Sequence, residues 1–146
     1  MRLTAFTDYA LRVLIYLCVH PGRFVQKTEI ADAFGISVNH LAKVIQRLAH
    51  AGFVDVKRGR GGGIALGRSP AEIKLGDVVD AFEPDFNIVE CFDPESNTCR
   101  IAPVCKLSGV LREAELAFHD VLMGYTLEDI VASRNRGRYA KHLKTE

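Results

Sequence analysis

Residues 35–54 read GISVNHLAKVIQRLAHAGFV, and their spacing decides the fold. Gly35 and Ile36 make a tight connection, and Ser37 is a helix N-cap, its hydroxyl suited to accept from a free amide of the first turn. Leu41, Val44, Ile45 and Leu48 then recur at i, i+3, i+4 and i+7, the buried stripe of a helix reaching about His50. The opposite face is Asn39, His40, Lys43, Gln46, Arg47 and His50. Side chains of these kinds hydrogen-bond base edges and phosphates, although the same pattern also describes an ordinary solvated helix face.

The flanking residues decide between the two readings. Upstream, Thr4 or Thr7 can cap a helix running to about Val19, with Leu11, Leu14, Ile15 and Cys18 on one apolar stripe. His20, Pro21 and Gly22 end it. A shorter helix around Thr28 to Phe34 completes a helix–turn–helix. Downstream, Phe53 to Arg58 alternate as a strand, Gly59 to Gly63 form a glycine-rich tip, and Ile64 to Leu66 return. That is a β-hairpin wing, with Lys57, Arg58 and Arg60 placed for the DNA backbone or a narrow minor groove. A nucleotide-cradling loop would need a helix N-terminus and a Lys-Ser/Thr pair directly after the glycines, and neither follows. The candidate DNA-contacting residues are therefore Ser37, Asn39, His40, Lys43, Arg47, Arg58 and Arg60.

Charge is distributed to match. The 146 residues carry a formal net charge of +1, but residues 1–74 hold 11 Lys or Arg against 5 Asp or Glu. Residues 75–132 hold 3 against 12, and residues 133–146 hold 5 against 1. A basic first half suits a polyanion, since neutralised phosphates release counterions. No stretch approaches the ~20 apolar residues that cross a bilayer, and the N-terminus lacks the pattern of an export signal. A cytoplasmic location is expected, where clustered thiols serve metal or redox chemistry more often than disulfides.

Ser69 and Pro70 open a helical turn, Ile73 and Lys74 read as extended, and Leu75 to Phe82 as a short helix. From Asp85 to Val104 the chain is loop-like, and Cys91, Cys99 and Cys105 follow with spacing C-x7-C-x5-C. Irregular backbone lets three sulfurs turn toward one centre, and soft thiolates take zinc, copper(I) or iron–sulfur clusters. Zinc sites usually show short paired spacings, which are absent here. A metal-free thiol switch and plain buried cysteines are the other readings. Cys18, on the stripe of the first helix, reads as core.

After Cys105, Leu107, Leu111, Ala114, Phe118, Val121 and Tyr125 trace a heptad seam. Pairing with a second copy would make a two-fold dimer suited to a palindromic operator, and packing within the monomer is the alternative. Gly124 ends this helix, Thr126 with Asp129 forms a capping box for a short helix over Leu127 to Ala132, and the basic tail reads as disordered. The expected architecture is mainly α with a small β-hairpin. It comprises a winged helix-turn-helix DNA-binding domain over 1–82, a cysteine segment over 83–105, a dimerisation helix with a short C-terminal helix over 106–132, and a tail over 133–146. No acid–base pair or activated nucleophile marks an enzyme.

The segments FTDYALRVLIYL, GISVNHLAKVIQRLAHAGFV, RGRGGGIAL, LGDVVDAFEP, NIVECF and CRIAPVCKL together resemble the winged-helix iron–sulfur regulators, and among them the nitric-oxide-sensing repressors. The similarity runs from Arg2 to about Ala132. It implies homodimers whose long helices cross, binding operator DNA, and an iron–sulfur cluster, 4Fe–4S in preference to 2Fe–2S, on Cys91, Cys99 and Cys105. It further implies that Asp8 of the partner subunit completes the ligand set; Asp8 and Arg12, at i and i+4, are equally an ordinary helix ion pair. Family members that regulate iron–sulfur assembly carry a histidine soon after the third cysteine. Residues 106–118 contain none, and His119 lies too far along the helix.

Overall fold

Helix α1 (Ala5–Val19) starts where Thr4 caps it, the Thr4 hydroxyl accepting from the Thr7 amide at 3.3 Å. The computed structural model describes residues 2–83, 85 and 87–143. Met1, Pro84 and Phe86 of the cysteine segment, and the last three residues of the basic tail lie outside the described residues. Ala10, Val13, Leu14 and Leu17 put α1 at the centre of the core, with Cys18 beside them, 2% exposed and in the apolar place expected.

Helix α2 (Lys27–Phe34) ends on Gly35, whose φ of 63° is the left-handed conformation that a side chain resists. That residue lets the chain reverse into α3 (Val38–His50), where the Ser37 hydroxyl accepts from the His40 amide at 3.2 Å. Leu41, Val44, Ile45 and Leu48 of α3 are all buried against α1, and burying each is worth about 1.5–3 kcal/mol.

The wing is β1 (Val54–Lys57) paired antiparallel with β2 (Gly63–Leu66), in register Val54 to Leu66 and Lys57 to Gly63. Val25 adds a bridge to Ile64 through two 2.8 Å backbone hydrogen bonds, fastening the wing's foot to the start of α2. After a 3-10 turn over Pro70–Glu72 comes α4 (Leu75–Phe82), which packs on α1 through the buried Val78 and Phe82. The cysteine segment holds two more 3-10 turns, Glu90–Phe92 and Ala102–Val104. Helices α5 (Lys106–Met123) and α6 (Leu127–Ile130) follow, the latter with the expected Thr126–Asp129 capping box.

One expectation is corrected. Residues Ser133–His142 of the basic tail form a helix, α7, in place of disorder. Tyr139, Ala140 and Leu143 pack against the core. Tertiary docking thus supplies what a charged sequence interrupted by Gly137 lacks in local preference.

Candidate nucleic-acid interface and cysteine loop

Asn39, His40 and Lys43 stand exposed on the first turns of α3, beside the exposed Ser37 cap. Arg58 and Arg60 are exposed on the wing tip. The tip is held by the Gln26 side-chain amide, which donates to the Gly62 carbonyl at 2.5 Å. Between α3 and the wing runs a groove of about 540 Å³ lined in part by Lys27, Gln46, Lys57 and Arg58. Lys27 was not singled out from the sequence, because its place opposite the wing depends on the Val25–Ile64 bridge. Arg47 is exposed on the polar face of α3 but is already engaged. Its Nε donates to the Ala81 carbonyl at 2.9 Å and its guanidinium lies 5.1 Å from the Phe82 ring centre, so it clamps α3 to α4.

The cysteine loop leaves the end of α4 at Glu83. The Glu83 carboxylate oxygen Oε1 accepts from the Thr4 amide at 2.6 Å and from the buried Thr7 hydroxyl at 2.5 Å, tying the root of the loop to the start of α1. One helical turn further on, Asp8 forms a two-point ion pair with Arg12, at 3.2 and 2.6 Å. This is the pairing that the i, i+4 spacing allowed.

Within the loop, Cys91 sits in the Glu90–Phe92 turn, Cys99 follows an Asn97 turn, and Cys105 is the N-cap of α5. All three are partly exposed free thiols. Thr98 donates to Glu90 at 3.3 Å across the loop, and the Arg112 guanidinium of α5 lies 3.7 Å over the Phe92 ring. Asp93 is held below the usual carboxylate range, first by the Ser96 hydroxyl. Among the described residues no three His, Cys, Asp or Glu side chains gather around one metal ion. A single ion needs its donors about 2.3 Å from one centre. Three soft thiols on one irregular segment are a donor set of the kind that zinc, copper(I) or an iron–sulfur cluster takes.

Helix α5 buries none of its residues in the monomer. Leu107 and Val121 of the predicted seam are 61% and 59% exposed, Ala114 is exposed, and Leu111 and Phe118 are half-buried. Among the described residues no helix is long and apolar enough to cross a membrane.

Helix–turn–helix and hairpin wing together define a winged-helix DNA-binding regulator. Residues 3–133 match Rrf2, described as an iron-dependent transcriptional regulator family. The chain belongs to the Rrf2 family. It is 53% identical over 135 residues to the HTH-type transcriptional regulator NsrR of Bacillus subtilis, covering 92% of each chain. Its fold is similar to that of CymR, the global cysteine regulator of B. subtilis, with a TM-score of 0.74 at 26% identity, covering 90% of this chain and 97% of that one. It is similar also to T. potens IscR, with a TM-score of 0.75 at 24% identity over 94% and 91% of the two chains. Relatives named as regulators agree with the absence of an enzyme's machinery in the sequence.

Proposed function

We propose that this chain is a homodimeric repressor that releases a palindromic operator in response to nitric oxide. In this reading an iron–sulfur cluster, 4Fe–4S in preference to 2Fe–2S, is held by Cys91, Cys99 and Cys105, with Asp8 of the partner subunit as the remaining ligand. The observation that carries it is the set of three free thiols on one irregular segment in a chain 53% identical to NsrR. When bound, the cluster would supply iron able to take up nitric oxide, with the three cysteines and Asp8 as the residues that would hold it. A carboxylate, harder and weaker than a thiolate, suits the iron that must open.

The chain's own residues carry the consequence to DNA. The loop begins at Glu83, which grips the start of α1, and the preceding turn presents the Ala81 carbonyl that Arg47 of α3 holds. A shift of the loop root therefore changes the seat of the reading helix. Asn39, His40 and Lys43 meet base edges, Ser37, Arg58 and Arg60 meet the backbone or minor groove, and Arg47 acts as a strut. Pairing through Leu107, Leu111, Ala114, Phe118 and Val121 sets two α3 helices one DNA turn apart, roughly 34 Å. Regulation of iron–sulfur assembly or cysteine metabolism is the reading this displaces. The chain has no histidine among residues 106–118, and its identity to the cysteine regulator is half that to NsrR.

The test is operator affinity of the anaerobically purified dimer before and after nitrosylation, on DNA selected from a random pool. Coupling of ~1–3 kcal/mol predicts a drop of roughly 5- to 150-fold; equal affinity in both states contradicts the sensing role.

A further inference from the structure

Away from the cysteine loop, a cavity of about 400 Å³ lies between the end of α1, the foot of the wing and α7. Its lining carries three arginines. Arg23, Arg68 and Arg136 reach it, and among the described residues no Asp or Glu lines it. Arg23 is neutralised by a two-point pair with Glu29. Arg68 is fixed by backbone, its Nε and Nη2 donating to the carbonyls of Gly52 and Ala51 at 3.0 and 2.9 Å, with the Glu72 carboxylate within electrostatic reach but outside the lining. The Arg136 Nε is sealed from solvent and meets no hydrogen-bond partner. A buried donor left unmade costs about 1–3 kcal/mol, and native proteins tolerate few of them. Leu17, Leu66 and Pro70 provide an apolar wall beside these charges.

We propose that this cavity binds a small organic anion, a carboxylate or phosphate head on an apolar body. The head pairs with the faces of the Arg136 and Arg68 guanidinium groups that line the cavity, and the body lies along Leu17 and Leu66. The size falls within the range of small-molecule pockets, and planar guanidinium groups match the oxygens of such heads. A ligand there would join α7 to the wing's foot, a second input to the DNA-binding domain independent of the cysteines.

The experiment titrates the full chain in 0.15 M salt with 8-anilinonaphthalene-1-sulfonate, an amphiphilic anion, following fluorescence and amide NMR shifts. Expected are saturable one-site binding and shifts in residues 17–24, 65–68 and around Arg136. Arg136→Gln should weaken binding about tenfold and Arg136→Lys by less, each with an unchanged amide spectrum when unliganded. Equal affinity in a folded Arg136→Gln, or shifts confined to the exposed face of α5, overturns the proposal. If Arg136→Gln fails to fold, the wild-type shift map and the Lys variant decide by the same criteria.

Discussion

Glu83 is a single carboxylate with two distant duties, accepting from Thr4 and Thr7 at sequence separations of 79 and 76 residues. Glu83→Ala removes the acceptor shared by the Thr4 amide and the buried Thr7 hydroxyl and should cost about 1–3 kcal/mol in urea unfolding. Glu83→Gln keeps an acceptor oxygen and should cost clearly less; equal losses would remove the latch from the account. Contacts of this kind were illegible in the sequence. Ser37 and Thr126 are caps because their partners lie three residues away, within reach of a local pattern. The periodicity of α3 put Arg47 on the polar face correctly, yet nothing local said that Ala81, 34 residues on, would claim it.

The wing and the α4–α5 contact behave as units. Gly63 has φ 146°, and a Cβ there would meet the Val25 carbonyl at 2.6 Å, so Gly63→Ala breaks the bridge that seats the wing. The expected loss is about 1–3 kcal/mol, with the amide of Ile64 losing hydrogen-exchange protection; retained protection would count against the bridge. Across α4 and α5, His119 Nε2 bonds Asp80 at 3.0 Å, and this partner, with Asp120 and Asp77 nearby, holds the histidine above its usual 6.5. A raised folded value means that this stabilisation is full below pH 6.5 and lost as pH rises through the higher folded value. Histidine NMR titration should show that raised midpoint fall back in Asp80→Asn, and an unchanged midpoint would contradict the pairing. The helix–turn–helix and hairpin were readable because caps, glycines and apolar periods are local signals. Helix α7 was not, since Tyr139 and Leu143 are ordered by the core they meet.

At the scale of the whole molecule, α5 presents an apolar seam that this chain leaves exposed at Leu107, Ala114 and Val121 and half-buried at Leu111 and Phe118. Val121→Glu places a charge in that seam and should shift a dimer to monomer in sedimentation, with the monomer's fold intact by circular dichroism. An unchanged dimer would move the interface elsewhere. The heptad spacing made the seam visible in the sequence, and the C-x7-C-x5-C spacing made the thiols visible, but neither spacing says what the thiols bind.

The most direct measurement is anaerobic purification with visible absorption, iron and sulfide analysis, followed by nitric oxide titration. Expected is brown protein containing iron and sulfide, whose absorption bleaches in proportion to added nitric oxide and which loses its iron–sulfur content in Cys91→Ala, Cys99→Ala and Cys105→Ala. Colourless protein holding zinc or no metal would contradict the proposed cluster.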